Sequence, residues 1–329
     1  MPLIAASLAG WLLLVPPGTL GTLRTGVLAQ PANDRPPVFH VQPDRPVMAA
    51  PPADRMADRP GVDLPAARPS DRLVYRPRVD LPVTLAATAA WVFAEVDKVR
   101  LVAVACEWCD RTADGRDSLN GFDAWGRRTF RWHNTARATS LSNVTAFALA
   151  PAAAYGLDWF AASREGRAKD ARVDALLITE AMAIASDVTD VMKFTIGRQR
   201  PFVHALAPDA KATTRPSADN NTSFPSGHAT QAFSLVMAGA EVASLRGYRY
   251  APWIWRAGLP AAALTAYFRV AADRHYLTDV LAGAGIGSAF GFAVPYLAHR
   301  SRVDPRIPAV RLVPTPRGEI VAAQWTWQD

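Results

Sequence analysis

From residue 81 onward, apolar positions recur with a helical period in long stretches rich in Ala, Leu and Val. The pattern predicts helices over about 83–105, 141–163, 172–198, 227–246, 252–270 and 276–298. No strand pattern alternates with them, so the expectation is an all-α helical bundle spanning 81–300. Two stretches, 139–157 and 280–298, each run nineteen residues without a formal charge, long enough to cross a bilayer. Both are rich in small residues. The stretch 172–198 carries Asp174, Glu180, Asp187, Asp190 and Lys193, which is costly in lipid unless that face looks into a bundle. The pattern therefore fits either a membrane bundle with a few weak spans or an exported helical domain that docks on a membrane. Gly283, Gly287 and Gly291 recur every fourth residue and mark a face for close helix packing.

The ends of the chain read differently. Residues 3–15 form an apolar run of thirteen, and Val27-Leu28-Ala29 offers small residues for cleavage. Residues 1–29 are thus read as a signal peptide, or else as an N-terminal anchor. The stretch 30–82 holds twelve Pro, eight Arg and seven Asp, with Asp-Arg-Pro repeated at 34–36, 44–46 and 58–60. Such a segment buries too little apolar area to offset its ordering entropy, so 30–80 is expected to be a disordered linker. In the tail, 301–329, two β-prone runs flank Pro314-Thr315-Pro316-Arg317-Gly318 and predict a short hairpin.

Composition narrows the function classes. The chain has 329 residues, half of them apolar, and 36 basic against 29 acidic residues, a net of +7. The basic residues are scattered Arg, often beside Asp, so nothing resembles a nucleic-acid stripe. Only four are Lys: Lys98, Lys169, Lys193 and Lys211. Two cysteines, Cys106 and Cys109, exclude a disulfide scaffold and a four-thiolate zinc module. In an exported chain they suggest a local structural disulfide; a redox pair or half a metal site are the alternatives. Residues 113–135, with Arg127, Arg128, Arg131 and Trp132, form a basic-aromatic stretch suited to a headgroup interface or a solvated face.

Three segments carry candidate chemistry. Lys193 and Arg200 are seven apart, one helical face, and Pro201 stops the helix there; two cations at such a place suit an anion. Phe224-Pro225-Ser226-Gly227-His228 precedes a helix, with Ser226 as a candidate N-cap and Gly227 permitting close backbone approach. That helix start presents free N–H groups to a phosphate, and His228 stands in its first turn. Last come Arg269, His275 and Asp279. His275 and Asp279 are i and i+4, so Asp279 is expected to bond one imidazole nitrogen and leave the other as nucleophile or base. Arg269 offers a fork for phosphate oxygens.

In order and spacing, these segments resemble the signature of the phosphatidic acid phosphatase type 2 / vanadium haloperoxidase superfamily. That signature reads Lys, six residues, Arg-Pro; then Pro-Ser-Gly-His; then Ser-Arg, five residues, His, three residues, Asp. Here 23 residues separate the first two motifs and 39 the last two. One position departs: Phe268 stands where the family usually has Ser. The resemblance implies a helical bundle and His275 as a nucleophile forming a phosphohistidine. It makes Asp279 the orienting partner and His228 the acid and then the base. Lys193, Arg200 and Arg269 become the phosphate clamp, with Ser226 and Gly227 as neutral donors. It implies no metal and no cofactor, and a phosphorylated small molecule or lipid as substrate at the cell envelope, periplasmic or membrane-associated. The same pocket would hold vanadate in a haloperoxidase; a broad-specificity soluble acid phosphatase is the nearer variant. The long polar loop 202–224 joins two motifs and is expected to overhang the pocket and shape substrate choice, with His204 or Lys211 as candidates to reach in.

Overall fold

The computed structural model describes residues 72–102, 105–207, 210–211, 213–214, 217–301, 309–314 and 320–326. The expected export segment and most of the Pro-rich stretch lie outside these residues. The helices are α1 (Pro77–Val96), α2 (Lys98–Leu101), α3 (Gly121–Phe130), α4 (Thr135–Val144), α5 (Leu157–Arg164), α6 (Ala171–Ile196), α7 (Pro201–His204), α8 (Gly227–Leu245), α9 (Ala251–Ala271) and α10 (Leu277–Ala298). Two π-helical turns, Thr145–Leu149 and Ala152–Gly156, join α4 to α5 into one irregular rod. Strands β1 (Ala309–Pro314) and β2 (Ile320–Thr326) pair antiparallel.

The helix limits depart from the periodic reading where caps decide them. α1 starts at Pro77, where a missing N–H costs nothing, and Asp80 accepts a 2.6 Å bond from the Arg76 backbone N–H. It stops at Val96, well short of 105. α3 lies in the stretch expected only to be basic and aromatic; Asn120 caps it by accepting from the Asp123 N–H at 2.9 Å. α6 ends at Ile196 because Gly197 takes a left-handed φ of 57° and closes the last turn onto the Lys193 carbonyl. Arg198 to Arg200 then leave the helix before Pro201 starts α7.

α8 packs against α6, α9 and α10, and α1 packs against α6. The α8–α10 seam depends on the glycine face. A Cβ at Gly283 would stand 2.5 Å from the Ser226 carbonyl, and one at Gly291 2.6 Å from the Ser234 carbonyl. One at Gly287 would collide with the Thr230 carbonyl. Backbone meets backbone, which presses the start of α8 onto the start of α10 and brings the second and third motifs together. Three helices, Pro77–Val96, Thr135–Arg164 and Leu277–Ala298, are long and apolar enough to cross a membrane. Their outward faces carry exposed Leu85, Phe93, Trp159, Leu281 and Leu297.

Candidate active site

The site is built where the end of α6, the start of α8 and the α9–α10 turn converge. His275, in that turn, is 2% exposed. Its Nδ1 lies 2.6 Å from the Ser223 carbonyl and its Nε2 lies 3.1 Å from an Arg200 guanidinium nitrogen. A carbonyl only accepts and a guanidinium only donates, so the tautomer is forced: Nδ1 carries the proton and Nε2 presents its lone pair. Burial, then the nearby Arg200 and Arg269 charges, push the His275 imidazole well below its ordinary pKa, so it is neutral near neutral pH.

Asp279 does not make the direct bond expected from the i, i+4 spacing. Its carboxylate stands 3.8 Å from His275 Nδ1. It accepts instead from Ser223 Oγ at 2.5 Å, from the Tyr276 N–H at 2.8 Å and from Arg198 at 2.7 Å. At the start of α10 it accepts from the N-cap N–H of Tyr276 and from two side chains. Ser223 links the two groups: its Oγ donates to Asp279 and its carbonyl lies against His275 Nδ1.

Arg200 is buried and fanned over several acceptors. It donates to the carbonyls of Asp219 (2.5 Å) and Arg274 (3.0 Å), to Thr222 Oγ1 (3.1 Å) and to His275. Lys193 is buried too; its ammonium donates to Asp190 at 2.7 Å and lies 3.7 Å from Glu95. Gly227 matters for a reason other than ligand approach: a Cβ there would stand 2.7 Å from Lys193 Nζ. Arg269 reaches Ser142 Oγ only at 3.4 Å, and its buried Nε has no hydrogen-bond partner. Ser226 is the N-cap residue of α8 but makes no side-chain cap, and its buried Oγ is also without a partner. Buried donors without acceptors among clustered cations are what an anion site requires. His228 lies close enough to Arg269, His275, Lys193 and Arg200 to interact with their charges; its Nε2 is 3.0 Å from Asn143 Oδ1 and its ring packs edge-on against Phe147.

The structure thus gathers all eight motif residues, Lys193, Arg200, Ser226, Gly227, His228, Arg269, His275 and Asp279, around one place. Phe268 packs against Trp132, ring centroids 5.6 Å apart, so this position serves an aromatic cluster rather than a polar contact. His204 and Lys211 turn away from the site: His204 Nδ1 meets the Cys109 carbonyl at 3.2 Å, and Lys211 donates to Gln199 at 3.1 Å. The end of the 202–224 loop does contribute, but by holding Arg200 through Asp219, Asn220 and Thr222.

Arg198 is the main residue that sequence reasoning missed. It is fully buried, donates to Asp110, Asp123 and Asp279 at 2.7–3.0 Å, and lies between the rings of Trp108 and Tyr276. Its signal was only its place inside the first motif. Asp123 also accepts from the Thr278 N–H and hydroxyl, so α3 is fastened to the start of α10. Arg127 grips Asp273 at 2.6 and 2.7 Å, which gives the basic-aromatic stretch a bracing role beside the third motif. Cys106 and Cys109 are disulfide-bonded and close the turn that carries Trp108, with Asp110 just beyond it.

Residues 174–302 match the model of the PAP2 superfamily, which bears out the resemblance carried by the motifs. A lipid A 1-phosphatase of Porphyromonas gingivalis is 31% identical over 118 residues, 35% of this chain and 22% of that protein. An undecaprenyl-diphosphatase of Sulfolobus acidocaldarius is 30% identical over 124 residues, 38% of this chain and 55% of that protein. The chain therefore spans about a fifth and about half of these two curated relatives. Among solved structures, a transmembrane PAP2-type phosphatidylglycerolphosphate phosphatase from Bacillus subtilis aligns with 67% of this chain and 94% of its own, at 19% identity and a TM-score of 0.37.

Proposed function

We propose that the chain is a membrane-associated phosphatase of the cell envelope. It hydrolyses phosphomonoesters or pyrophosphates of lipids through a phosphohistidine on His275, with residues 81–300 as the catalytic unit. The observation that carries the reading is the forced tautomer of His275, whose Nε2 lone pair faces Arg200, in a site where the buried Nε of Arg269 has no hydrogen-bond partner.

The chemistry follows from the geometry. The phosphoryl group lies among Lys193, Arg200 and Arg269, which stabilise charge on its non-bridging oxygens as the transition state develops. Ser226 Oγ supplies a neutral donor. Burial and the neighbouring cations, Arg269 foremost, hold the free-enzyme His228 pKa well below its ordinary value, so His228 takes up its proton once the substrate's phosphate charge lies beside it. Nε2 of His275 then attacks phosphorus as the bond to the leaving oxygen breaks, and protonated His228 gives that oxygen its proton. Neutral His228 then takes a proton from water, whose oxygen attacks phosphorus and breaks the P–N bond. Phosphate leaves and both imidazoles return to their starting states. Three protein cations carry the charge throughout, so no step calls for a metal ion. A lipid substrate is supported by the exposed apolar faces of the three span-length helices and by the names of the two relatives.

The test is an assay of the purified full-length protein with a chromogenic phosphate ester and with lipid phosphates in mixed micelles. Each is repeated with vanadate, then with vanadate, bromide and peroxide. Hydrolysis inhibited by vanadate, faster on the lipid, is the expected result. Bromination without hydrolysis would overturn it.

A further inference from the structure

At the end of α10 away from the catalytic residues, a second buried polar cluster stands outside the proposed chemistry. Asp80 of α1 is 1% exposed, Glu180 of α6 4%, and His299, just past α10, 0%. Along α10, His299 lies about 30 Å from Asp279. Here the segment leading into α1 meets the segment leaving α10, with the Val74 N–H donating to the His299 carbonyl at 2.7 Å.

One side of each of the three groups is held. His299 Nδ1 lies 3.3 Å from the Val74 carbonyl, which can only accept, so Nδ1 carries a proton. Glu180 Oε2 lies 3.1 Å from the Thr84 hydroxyl. Asp80 Oδ2 accepts from the Arg76 N–H. Asp80 Oδ2 also lies 3.7 Å from His299 Nδ1 and its Oδ1 lies 3.9 Å from Arg76 Nε, so Glu180 is the carboxylate that faces the other imidazole nitrogen. His299 Nε2 is buried without a hydrogen-bond partner, 3.4 Å from Glu180 Oε1. Ligand atoms from all three residues lie within 4.8 Å of one another. A dry imidazole lone pair facing a carboxylate oxygen is repulsive unless a cation lies between them. Among the described residues, Arg76 is the only Lys or Arg within 4.0 Å of these carboxylates, half-exposed and 3.9 Å from Asp80.

We propose that Asp80, Glu180 and His299 bind a divalent transition metal of the zinc type, as a structural tie between α1, α6 and the end of α10. Two carboxylates and a neutral imidazole match the charge of such an ion and suit its ligand preferences. Ligands at about 2.0–2.1 Å in tetrahedral geometry stand about 3.3 Å apart, close to the Nε2–Oε1 separation. A second imidazole nitrogen fixed by a backbone carbonyl is the usual support of a metal-bound histidine. The tie is separate from the phosphatase reading, since none of its residues touches the catalytic cluster.

The test uses the full chain in detergent, stripped with a chelator and titrated with zinc, reading bound metal per chain and melting temperature. One equivalent should bind and raise the melting temperature by roughly 5–10 °C at a hundredfold excess over Kd. His275→Ala should keep both effects; Glu180→Gln and His299→Gln should lose both. Wild-type protein that takes up no zinc and melts unchanged would overturn the proposal, leaving a proton between His299 and Glu180. Uptake that persists in a folded His299→Gln variant would overturn it as well. If neither variant folds, X-ray absorption of the zinc-loaded wild type decides. One imidazole among oxygen ligands supports the site, and thiolate or several imidazoles refutes it.

Discussion

Arg198 and Arg200 are two residues apart, both buried, and their surroundings are opposite in kind. Three carboxylates and two aromatic rings surround Arg198. Burial alone would lower its pKa, but Asp279, Asp123 and Asp110 outweigh it and hold the pKa above its ordinary value. Arg200 spends its donors on carbonyls, a hydroxyl and an imidazole, with a single carboxylate, Asp219, at 4.0 Å. There burial prevails, the nearby Arg274 charge adds to it, and the pKa falls. A saturated guanidinium is a structural bolt. An under-neutralised one beside a lone-pair imidazole is a place for an anion to complete the charge.

Substitutions that treat the two alike should therefore separate them. Arg198→Met strands buried carboxylates and should cost about 3–5 kcal/mol of stability, read as a lower denaturation midpoint. Combining it with Asp123→Asn should recover part of that loss. Arg200→Lys should lower the midpoint less than Arg198→Met does but cut kcat/KM about 10²- to 10³-fold, because a point charge cannot reproduce the fork. If Arg200→Lys instead unfolds the protein while Arg198→Met only slows it, the contrast is wrong. Gly287→Ala touches neither arginine; by wedging α10 off α8 it should cost about 1–3 kcal/mol and slow turnover through misaligned motifs.

The smallest effect is in pH. Protonated His275 cannot attack phosphorus, and its pKa is lowered by burial, Arg200 and Arg269. The reactive neutral form therefore persists to lower pH than an ordinary histidine would allow. The acidic limb of kcat/KM should fall below the usual histidine range, and Arg200→Met should move it back upward. A limb at the ordinary value, unmoved by that change, would contradict the placement of Arg200 charge against His275.

Much of this was legible in the sequence, for identifiable reasons. Helical period and glycine spacing report packing directly, so the bundle and the Gly283–Gly291 seam could be read. Motif residues that act through their side chains carry their chemistry in their type. What was missed acts otherwise. Ser223 positions His275 through a backbone carbonyl, which any residue possesses. Asp279 looked like a direct partner because spacing ignores competing donors, and here Arg198, Ser223 Oγ and the Tyr276 N–H claim the carboxylate. Arg198 finds its acidic partners 75–88 residues earlier and 81 later in the chain, where no local pattern shows them. α3 was overlooked because its inward face is polar, Asp123 and Arg127, where periodicity seeks apolar residues.

The central claim is that Nε2 of His275 becomes bonded to phosphorus during turnover. Rapid quenching of the enzyme with a phosphate-labelled substrate tests it most directly. The account predicts a labelled protein whose label is acid-labile and base-stable, maps to the peptide containing His275, and is absent from His275→Ala. Burst-free turnover with no trapped label in the wild type, or the same label in His275→Ala, would contradict it.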